Sequence, residues 1–307
     1  MRSSILLAIL VLLSADLSGQ YDLPAFQLES GKIYYLKIQM NQETQTENNV
    51  MLGNVSLEIR CNLKMQVTAI NSANNYSIKG VFSKLMLSFL SPASGQIISS
   101  ETSAFGPLRV YLDSLLSHSF RIEMSRHGEI VNISGLDSVI MDFYNNERYN
   151  PQQHDLIIKT IKEAFGEQAL QSMLNIALNV YNDSNAIKTE KSYEIAFNAR
   201  EVRIQNKLYY SQDSNGDNRI QGIGLIEKDV EVFDLENISI STSLKGTQTY
   251  DYLFDKNNGW IKEGVSRQKI QSLSTIEGHE ELPDGLKIPS YTETEFNFNG
   301  GLLEPKK

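Results

Sequence analysis

The longest pattern along the chain is an alternation of apolar and polar residues over positions 55–69. Odd positions such as Leu57, Ile59 and Leu63 are apolar, and the even positions between them are polar. Strict alternation of this kind is typical of a β-strand with one dry face and one wet face. At about 3.3 Å per residue, such a strand is roughly 50 Å long. A strand of that length favours a strongly curved sheet over a flat one.

Shorter alternations predict further strands. They lie at residues 34–40, 78–89, 120–124, 130–134, 193–197, 202–210, 220–226, 238–244 and 250–254. The apolar positions change phase between Phe82 and Leu85, which predicts a β-bulge near Ser83. The hairpin segments that begin at Phe120 and Tyr250 resemble each other, as they would after an internal duplication.

Helical patterns are confined to the middle of the chain. Residues 107–116 predict a short helix. A longer helical stretch is predicted from Pro151, because Asn150 is a good N-cap residue and proline suits the first helical position. Its apolar residues recur every three or four positions as far as Val180, and Gly166 is expected to divide the stretch in two.

The order of strands, then helices, then strands predicts an α+β fold. We expect a long-stranded, curved antiparallel sheet, half-barrel-like in shape, with the central helices packed on it. The expected organisation is a single α+β domain over residues 21–300, with two β-rich halves around helices at 151–183. Residues 301–307 are expected to form a flexible tail.

The first residues of the chain predict export. Arg2 is followed by an apolar run at 5–13 and then by small and polar residues up to Gln20. This is the pattern of a signal peptide over residues 1–20. The run is shorter than the roughly 20 residues of a transmembrane helix. We therefore expect an exported protein without a transmembrane segment that is periplasmic, outer-envelope-associated or secreted.

Charge and cysteine content narrow the classes of partner and site. The net charge of -9 argues against nucleic acid as a partner. Cys61 is the only cysteine in the sequence, so an internal disulfide and a cysteine-rich zinc site are excluded. Cys61 is expected to be a small buried hydrophobic residue. The sequence gives no indication of the oligomeric state.

One short stretch resembles the start of a calcium-binding loop. Asp213, Asn215 and Asp217 occupy the first, third and fifth positions of an EF-hand loop. The twelfth position, which needs a bidentate acid, is Gly224, and the flanking residues predict strands instead of helices. The pattern favours a hairpin turn built from Asp, Asn and Gly. A weak calcium site with Asp213, Asn215 and Asp217 as ligands is the open alternative.

The sequence contains no recognisable catalytic motif. Nucleophile-elbow, zinc-protease and phosphate-loop patterns are all absent, and the four histidines lack metal-ligand spacing. We therefore expect a protein that is not an enzyme, with no catalytic residues and no cofactor apart from the calcium alternative. The competing hypothesis is a secreted hydrolase whose acidic residues converge only in the fold.

Three stretches carry a resemblance to known proteins. They are FQLESGKIYYLKIQMNQETQ from Phe26, FRIEMSRHGEIVNISGLDSV from Phe120 and YDYLFDKNNGWIKEGVSRQKIQ from Tyr250. Over residues 26–276 the chain resembles a domain-of-unknown-function family of exported envelope proteins from Bacteroidota. The resemblance implies no catalytic residue. A fold-level analogy also links the chain to the half-barrels of lipoprotein carriers, which hold acyl chains.

These observations lead to three hypotheses about function. The first is a non-enzymatic envelope protein that binds a hydrophobic ligand or a partner protein, in an apolar cleft where helices leave the sheet uncovered. The second is the secreted hydrolase, which needs two buried carboxylates about 5–9 Å apart. The third is a structural surface protein.

Overall fold

The computed structural model describes most of the chain. The described residues are 25–46, 55–72, 74–90, 97–101, 106–116, 118–144, 151–181, 188–195, 200–235, 238–277 and 285–303. The predicted signal peptide at 1–20 lies outside them.

The described part of the chain forms twelve strands and four helices. The strands are β1 (Ile33–Thr46), β2 (Val55–Ile70), β3 (Tyr76–Leu90), β4 (Ile97–Ser99), β5 (Ser119–Met124), β6 (Ile130–Ser134), β7 (Lys188–Ile195), β8 (Arg200–Gln212), β9 (Asn218–Leu235), β10 (Ile238–Phe254), β11 (Ile261–Ile276) and β12 (Leu286–Leu302). The helices are α1 (Gly106–Leu116), α2 (Leu136–Tyr144), α3 (Pro151–Phe165) and α4 (Glu167–Leu178). None of these helices has the length and apolar character needed to cross a membrane.

All twelve strands belong to one antiparallel sheet that is open and curled. Its strand order is β6-β5-β3-β2-β1-β12-β11-β10-β9-β8-β7, and β4 pairs with β3 outside this path. The first and last of the described strands, β1 and β12, are therefore neighbours in the middle of the sheet. The predicted fold class, a curved antiparallel sheet with helices packed on it, is confirmed.

The long alternating strand is confirmed as β2. Its odd positions from Leu57 to Val67 are buried, whereas Lys64 and Gln66 are exposed. The prediction fails at the end of the strand, where Ala69 is exposed. The register between β2 and β3 shifts between Val67 and Ala69, so the alternation of buried and exposed positions is interrupted there.

The predicted bulge at Ser83 is also confirmed. Asn62 on β2 is opposite Lys84, and the next residue, Leu63, is opposite Phe82. Ser83 is left without an opposite residue, and its hydroxyl donates to the Asn62 carbonyl at 3.2 Å. Even and odd positions of a strand normally face opposite sides of the sheet. Because of the extra residue, Phe82 and Leu87 are both buried on the same side.

The helices pack on part of the inner face of the curl, where they form one large apolar core with the sheet. Inner-facing sheet residues that belong to this core define the helix-covered region: Tyr34, Leu36, Ile38, Met40, Ile59, Cys61, Leu63, Met65, Phe120, Ile122, Tyr250, Tyr252, Phe254, Phe296 and Phe298. Helical residues such as Phe165, Leu170 and Leu174 are fully buried against them. The Tyr252 hydroxyl donates to the Ile176 carbonyl at 2.9 Å and so joins α4 to the sheet.

Three boundaries differ from the sequence prediction. The segment Leu136–Tyr144, for which the sequence pattern predicts no element, is helix α2. The predicted helical stretch divides at Gly166, as expected, but α4 ends at Leu178 instead of residue 183. Strand β12 pairs with β1 as far as Leu302, so residues 301 and 302 are part of the sheet and not of a flexible tail.

Candidate functional site

A line of polar residues crosses the inner face of the sheet. The strand register aligns them from β8 to β1, with Gly224 of β9 between the first two: Asn206, Gln248, Gln268, Thr294 and Gln42. We call these five residues the polar row. Asn206, Gln248, Gln268 and Thr294 are each at most 5% exposed. Buried amides are uncommon in a sheet interior, because each polar atom needs a hydrogen-bond partner there.

The polar row separates two apolar clusters. On one side lies the large core, which includes Tyr250 and Phe296. On the other side lies a small isoleucine cluster of Ile204, Ile226 and Ile270, with Leu244 packed against it. The strands run continuously from one cluster to the other, so the change in chemistry occurs within single strands.

Neighbouring strands supply part of the hydrogen bonding that the polar row requires. The Tyr250 hydroxyl donates to Asn206 Oδ1 at 2.8 Å, and Gln248 Nε2 donates to Ser266 Oγ at 2.9 Å. The Thr294 hydroxyl contacts Gln42 Oε1 at 3.4 Å. Each of these bonds joins different strands, so they stabilise the local register of the sheet.

Three polar atoms of the two glutamines have no partner. They are Gln248 Oε1 and both Oε1 and Nε2 of Gln268. The two residues face each other directly across β10 and β11 and are 0% and 2% exposed. A buried polar group left unpaired costs about 1–3 kcal/mol of folding free energy. These atoms are therefore the part of the structure that most needs an external hydrogen-bond partner.

Gly224 makes room for the amide of Asn206 in the row. A Cβ atom at position 224 would lie 2.4 Å from Asn206 Oδ1 and 3.1 Å from Ile204 Cγ2. Any larger residue would displace Asn206 and the edge of the isoleucine cluster. The absence of a side chain at Gly224 thus leaves the space that the Asn206 and Ile204 side chains of β8 occupy.

Beyond the polar row, hydroxyl pairs continue across the inner face. Thr44 and Thr292 are joined at 3.1 Å, as are Thr242 and Ser274. Ser272 and Ser290 are joined at 2.6 Å. We call the polar row together with these six residues the polar region.

The polar region bears on the expected apolar cleft, which stays a prediction. Where the large core ends, the inner face carries hydroxyl and amide groups around a small isoleucine cluster. This part of the described inner face is therefore amphipathic and largely buried. The sequence contained a signal for it, because Gln248 lies on the same face of its strand as Tyr250 and Tyr252.

The candidate calcium ligands lie in the hairpin between β8 and β9. Asp213 Oδ1 accepts hydrogen bonds from the backbone N–H groups of Asn215 at 2.8 Å and Asp217 at 2.9 Å. Gly216 has a positive φ of 79°, the left-handed conformation that a tight turn requires. The hairpin-turn interpretation of this stretch is confirmed, and calcium binding stays a prediction.

Two lysine side chains donate hydrogen bonds to oxygen atoms of Asn215 and Asp217 in this turn. Lys262 Nζ lies 2.6 Å from Asp217 Oδ2, and Lys256 Nζ donates to the Asn215 carbonyl at 2.7 Å. The Lys256 backbone N–H donates to Asp217 Oδ1 at 3.1 Å. The hydrogen bond from Lys262 is the main reason why the pKa of Asp217 lies below its ordinary value. These contacts satisfy Asp217 without a metal ion.

The other candidate groups are not brought together in the described parts of the chain. No group of three His, Cys, Asp or Glu residues there is arranged to hold a metal ion. Among the residues whose side chains the structure describes, Asp217 is the only buried carboxylate, so these residues do not include the buried pair of acids that the hydrolase hypothesis needs. Burial raises the pKa of the Cys61 thiol to about 12, as expected for a buried cysteine without a reactive role.

Comparison with known proteins identifies a family. A family model described as a family of unknown function (DUF6263) matches residues 73–261. No curated protein matches the sequence.

Solved structures resemble the chain only distantly. A structure on lipid-protein interactions in lipovitellin has a TM-score of 0.48 and 11% identity, and the match covers 92% of this chain and 26% of that chain. DynF from the dynemicin biosynthesis pathway of Micromonospora chersina has a TM-score of 0.25 and 8% identity, with 94% and 88% covered. An outer membrane channel from Pseudomonas putida F1 has a TM-score of 0.19 and 9% identity, with 92% and 98% covered. At these TM-scores the likenesses carry no argument about function.

Proposed function

This chain belongs to the DUF6263 family of unknown function, and we propose that it is a non-enzymatic binding protein of the cell envelope. Its ligand is a small amphipathic molecule held against the polar region and the isoleucine cluster. One observation carries the proposal: the Gln268 side chain is 2% exposed, and neither of its amide atoms has a hydrogen-bond partner.

The helix-covered region offers no comparable place for a ligand. There, side chains of the helices fill the concave surface, and buried tyrosine hydroxyls find partners in the chain itself. The Tyr181 hydroxyl donates to the Gly259 carbonyl at 3.0 Å, for example. Such a region is an ordinary protein core.

The polar region combines the two properties that small-molecule sites share. It has a buried apolar cluster in Ile204, Ile226 and Ile270, and it has buried polar groups without partners in Gln248 and Gln268, so a ligand must enter between them and the atoms that cover them. Ligand sites are mostly apolar with a small number of placed polar groups, which orient the molecule. The proposed ligand therefore differs from the purely hydrophobic one expected from the sequence by having a polar group.

Native mass spectrometry of the full chain, purified gently from its own host, tests the proposal. We expect an excess mass that is lost on unfolding and a small molecule recovered in the organic extract. An environment-sensitive dye should bind the protein and be displaced by that extract. A clean ligand-free mass together with no dye binding would contradict the proposal.

Two variants on β11 locate the binding. Ile270 is buried on the inner face, and Leu273 is 39% exposed three residues further on. Ile270→Ala should weaken dye binding several-fold, whereas Leu273→Ala should leave it unchanged. Equal effects of the two substitutions would place the dye elsewhere.

The proposed location in the envelope rests on the predicted signal peptide at residues 1–20. Intact-mass measurement of protein from the envelope fraction should give a mature chain that starts between residues 16 and 21. Recovery of the chain with Met1 in that fraction would contradict cleavage.

A further inference from the structure

We propose that the ligand's polar group is uncharged and both donates and accepts hydrogen bonds, as a primary carboxamide does. This inference rests on the proposed function and specifies the chemical class of its ligand. It follows from the unpaired atoms of Gln248 and Gln268 and from the neutral residues around them.

The hydrogen-bonding inventory of the two glutamines defines the complementary group. A glutamine amide has two N–H donors and one carbonyl acceptor. Gln248 Nε2 already donates to Ser266, so this residue offers its carbonyl oxygen. Gln268 offers both its donor nitrogen and its carbonyl oxygen. A ligand must therefore donate to two carbonyl oxygens and accept from one amide nitrogen, which matches a primary carboxamide.

The surroundings exclude a charged group. The described inner-face residues in the rows on either side of the polar row are all neutral: Leu208, Gly222, Tyr250, Ser266, Phe296 and Met40 on one side, and Ile204, Ile226, Gly246, Ile270, Thr292 and Thr44 on the other. Lys228 faces inward on β9, but it is four residues from Gly224, or roughly 13 Å at 3.3 Å per residue. A buried carboxylate or ammonium without a counter-ion is costly, so a neutral group is favoured.

The position of the isoleucine cluster indicates how the ligand is oriented relative to the polar row. The large core fills the other side of the polar row, so the apolar part of the ligand lies against Ile204, Ile226 and Ile270. These residues span three strand spacings, from β8 to β11. At about 4.8 Å per spacing, the buried cluster is roughly 14 Å wide, which is comparable to the length of a medium-length alkyl chain.

Three probes with the same chain and different polar groups test the inference: decanamide, decanoate and decylammonium. Each is titrated into the full-length protein at about neutral pH, and affinity is measured by calorimetry and dye displacement. We expect decanamide to bind about tenfold more tightly than either charged probe, because two or three added hydrogen bonds each contribute modestly.

Matched variants on β11 assign the preference to the amide. Gln268→Leu keeps the approximate size of the side chain and should remove the preference for decanamide while the alkyl chain still binds. Gln271→Leu makes the same change at an exposed position on the same strand and should preserve the preference. Circular dichroism and thermal melting confirm that both variants fold.

The outcomes separate the two proposals. If decanoate binds as tightly as decanamide, the polar group is assigned wrongly and the proposed function stands. If Gln268→Leu leaves all three affinities unchanged, internal water serves the amides and the inference is wrong. If none of the probes binds to the parent protein, the proposed function fails as well.

Discussion

The helix-covered region and the polar region lie on the same face of one sheet but are stabilised differently. Strand β10 passes through both: Tyr250, Tyr252 and Phe254 face the helices at one end, whereas Gln248 and Thr242 face inward at the other. In the helix-covered region, large apolar side chains of the sheet pack against apolar side chains of the helices. In the polar region, polar side chains of adjacent strands bond to each other. The difference shows that one continuous strand can contribute to a packed apolar core and to a buried region with unpaired polar groups.

The largest expected effect is in the helix-covered region. Leu63 is 1% exposed at the centre of β2. Leu63→Ala should lower the free energy of unfolding by about 2–5 kcal/mol, because it removes buried methyl groups and leaves a cavity. Urea denaturation measures the change. Lys64→Ala, at the exposed neighbouring position, should stay within about 0.5 kcal/mol. Similar losses in both variants would mean that β2 is not buried on one face.

A smaller loss is expected where the sheet is hydrogen-bonded to a helix. Tyr252→Phe removes the hydroxyl that donates to the Ile176 carbonyl in α4. The carbonyl is then left without that donor, so unfolding should become easier by about 1–3 kcal/mol. Tyr209→Phe is the matched control, since Tyr209 is 51% exposed. If the two variants melt alike, the hydroxyl of Tyr252 does not join helix and sheet as described.

In the polar region, removing a side-chain amide should raise the free energy of unfolding or leave it unchanged, instead of lowering it. Gln268→Leu removes a buried amide without partners, so the ligand-free protein should gain about 1 kcal/mol of stability or stay unchanged. Gln271→Leu on the exposed face should have no effect beyond about 0.5 kcal/mol. Thermal melting of protein stripped of small molecules measures both. A clear loss in the Gln268 variant would show that its amide has a partner within the chain.

The contribution of the turn between β8 and β9 to folding stability should depend on pH. Lys262 holds the pKa of Asp217 below its ordinary value, so the folded carboxylate stays charged in acid where the unfolded one is protonated. This contribution to stability is present above the ordinary pKa of Asp217 and is lost as the pH falls through the lowered folded value. The gap in melting temperature between the parent protein and Asp217→Asn should therefore be widest near neutral pH and close in acid. A gap independent of pH would contradict the ion pair. The exposed Asp142→Asn is the control.

The smallest expected effect is that of calcium. Lys262 and Lys256 already occupy oxygen atoms of Asp217 and Asn215, and the loop lacks a bidentate acid at its twelfth position. Calorimetric titration with calcium should give no micromolar binding. Tight binding that disappears in Asp213→Ala would contradict this prediction.

The sequence predicts the features of this fold that depend on neighbouring residues. The burial of β2 and the bulge at Ser83 follow from alternation and from its change of phase. Helix α2 cannot be predicted from a local pattern, because its start is capped by a residue that is distant in the sequence. Glu167 Oε1 accepts from the backbone N–H groups of Leu136 and Asp137, and Asp137 Oδ1 accepts from the N–H of Glu167. Two helix starts thus cap each other across the fold, which no local pattern reveals.

The candidate site was less predictable for the same reason. Gln248 lies two residues before Tyr250 and so continues the inner face of that predicted strand, but the predicted strands 238–244 and 250–254 both leave it out. Its lack of a partner, however, depends on how β10 and β11 align and on where the large core ends. Those are properties of the assembled sheet.

The pairing of β1 with β12 has a consequence for how the chain reaches its final form. Tyr34 near the start of β1 is opposite Leu302 near the end of β12. The β1–β12 pair in the middle of the sheet therefore cannot form until β12 has left the ribosome. Until then β1 and β11 are exposed edges, and such edges readily pair with other chains. Contacts this distant in sequence also slow folding. A chain cut short before β12 should therefore aggregate during synthesis, although most of its residues are present.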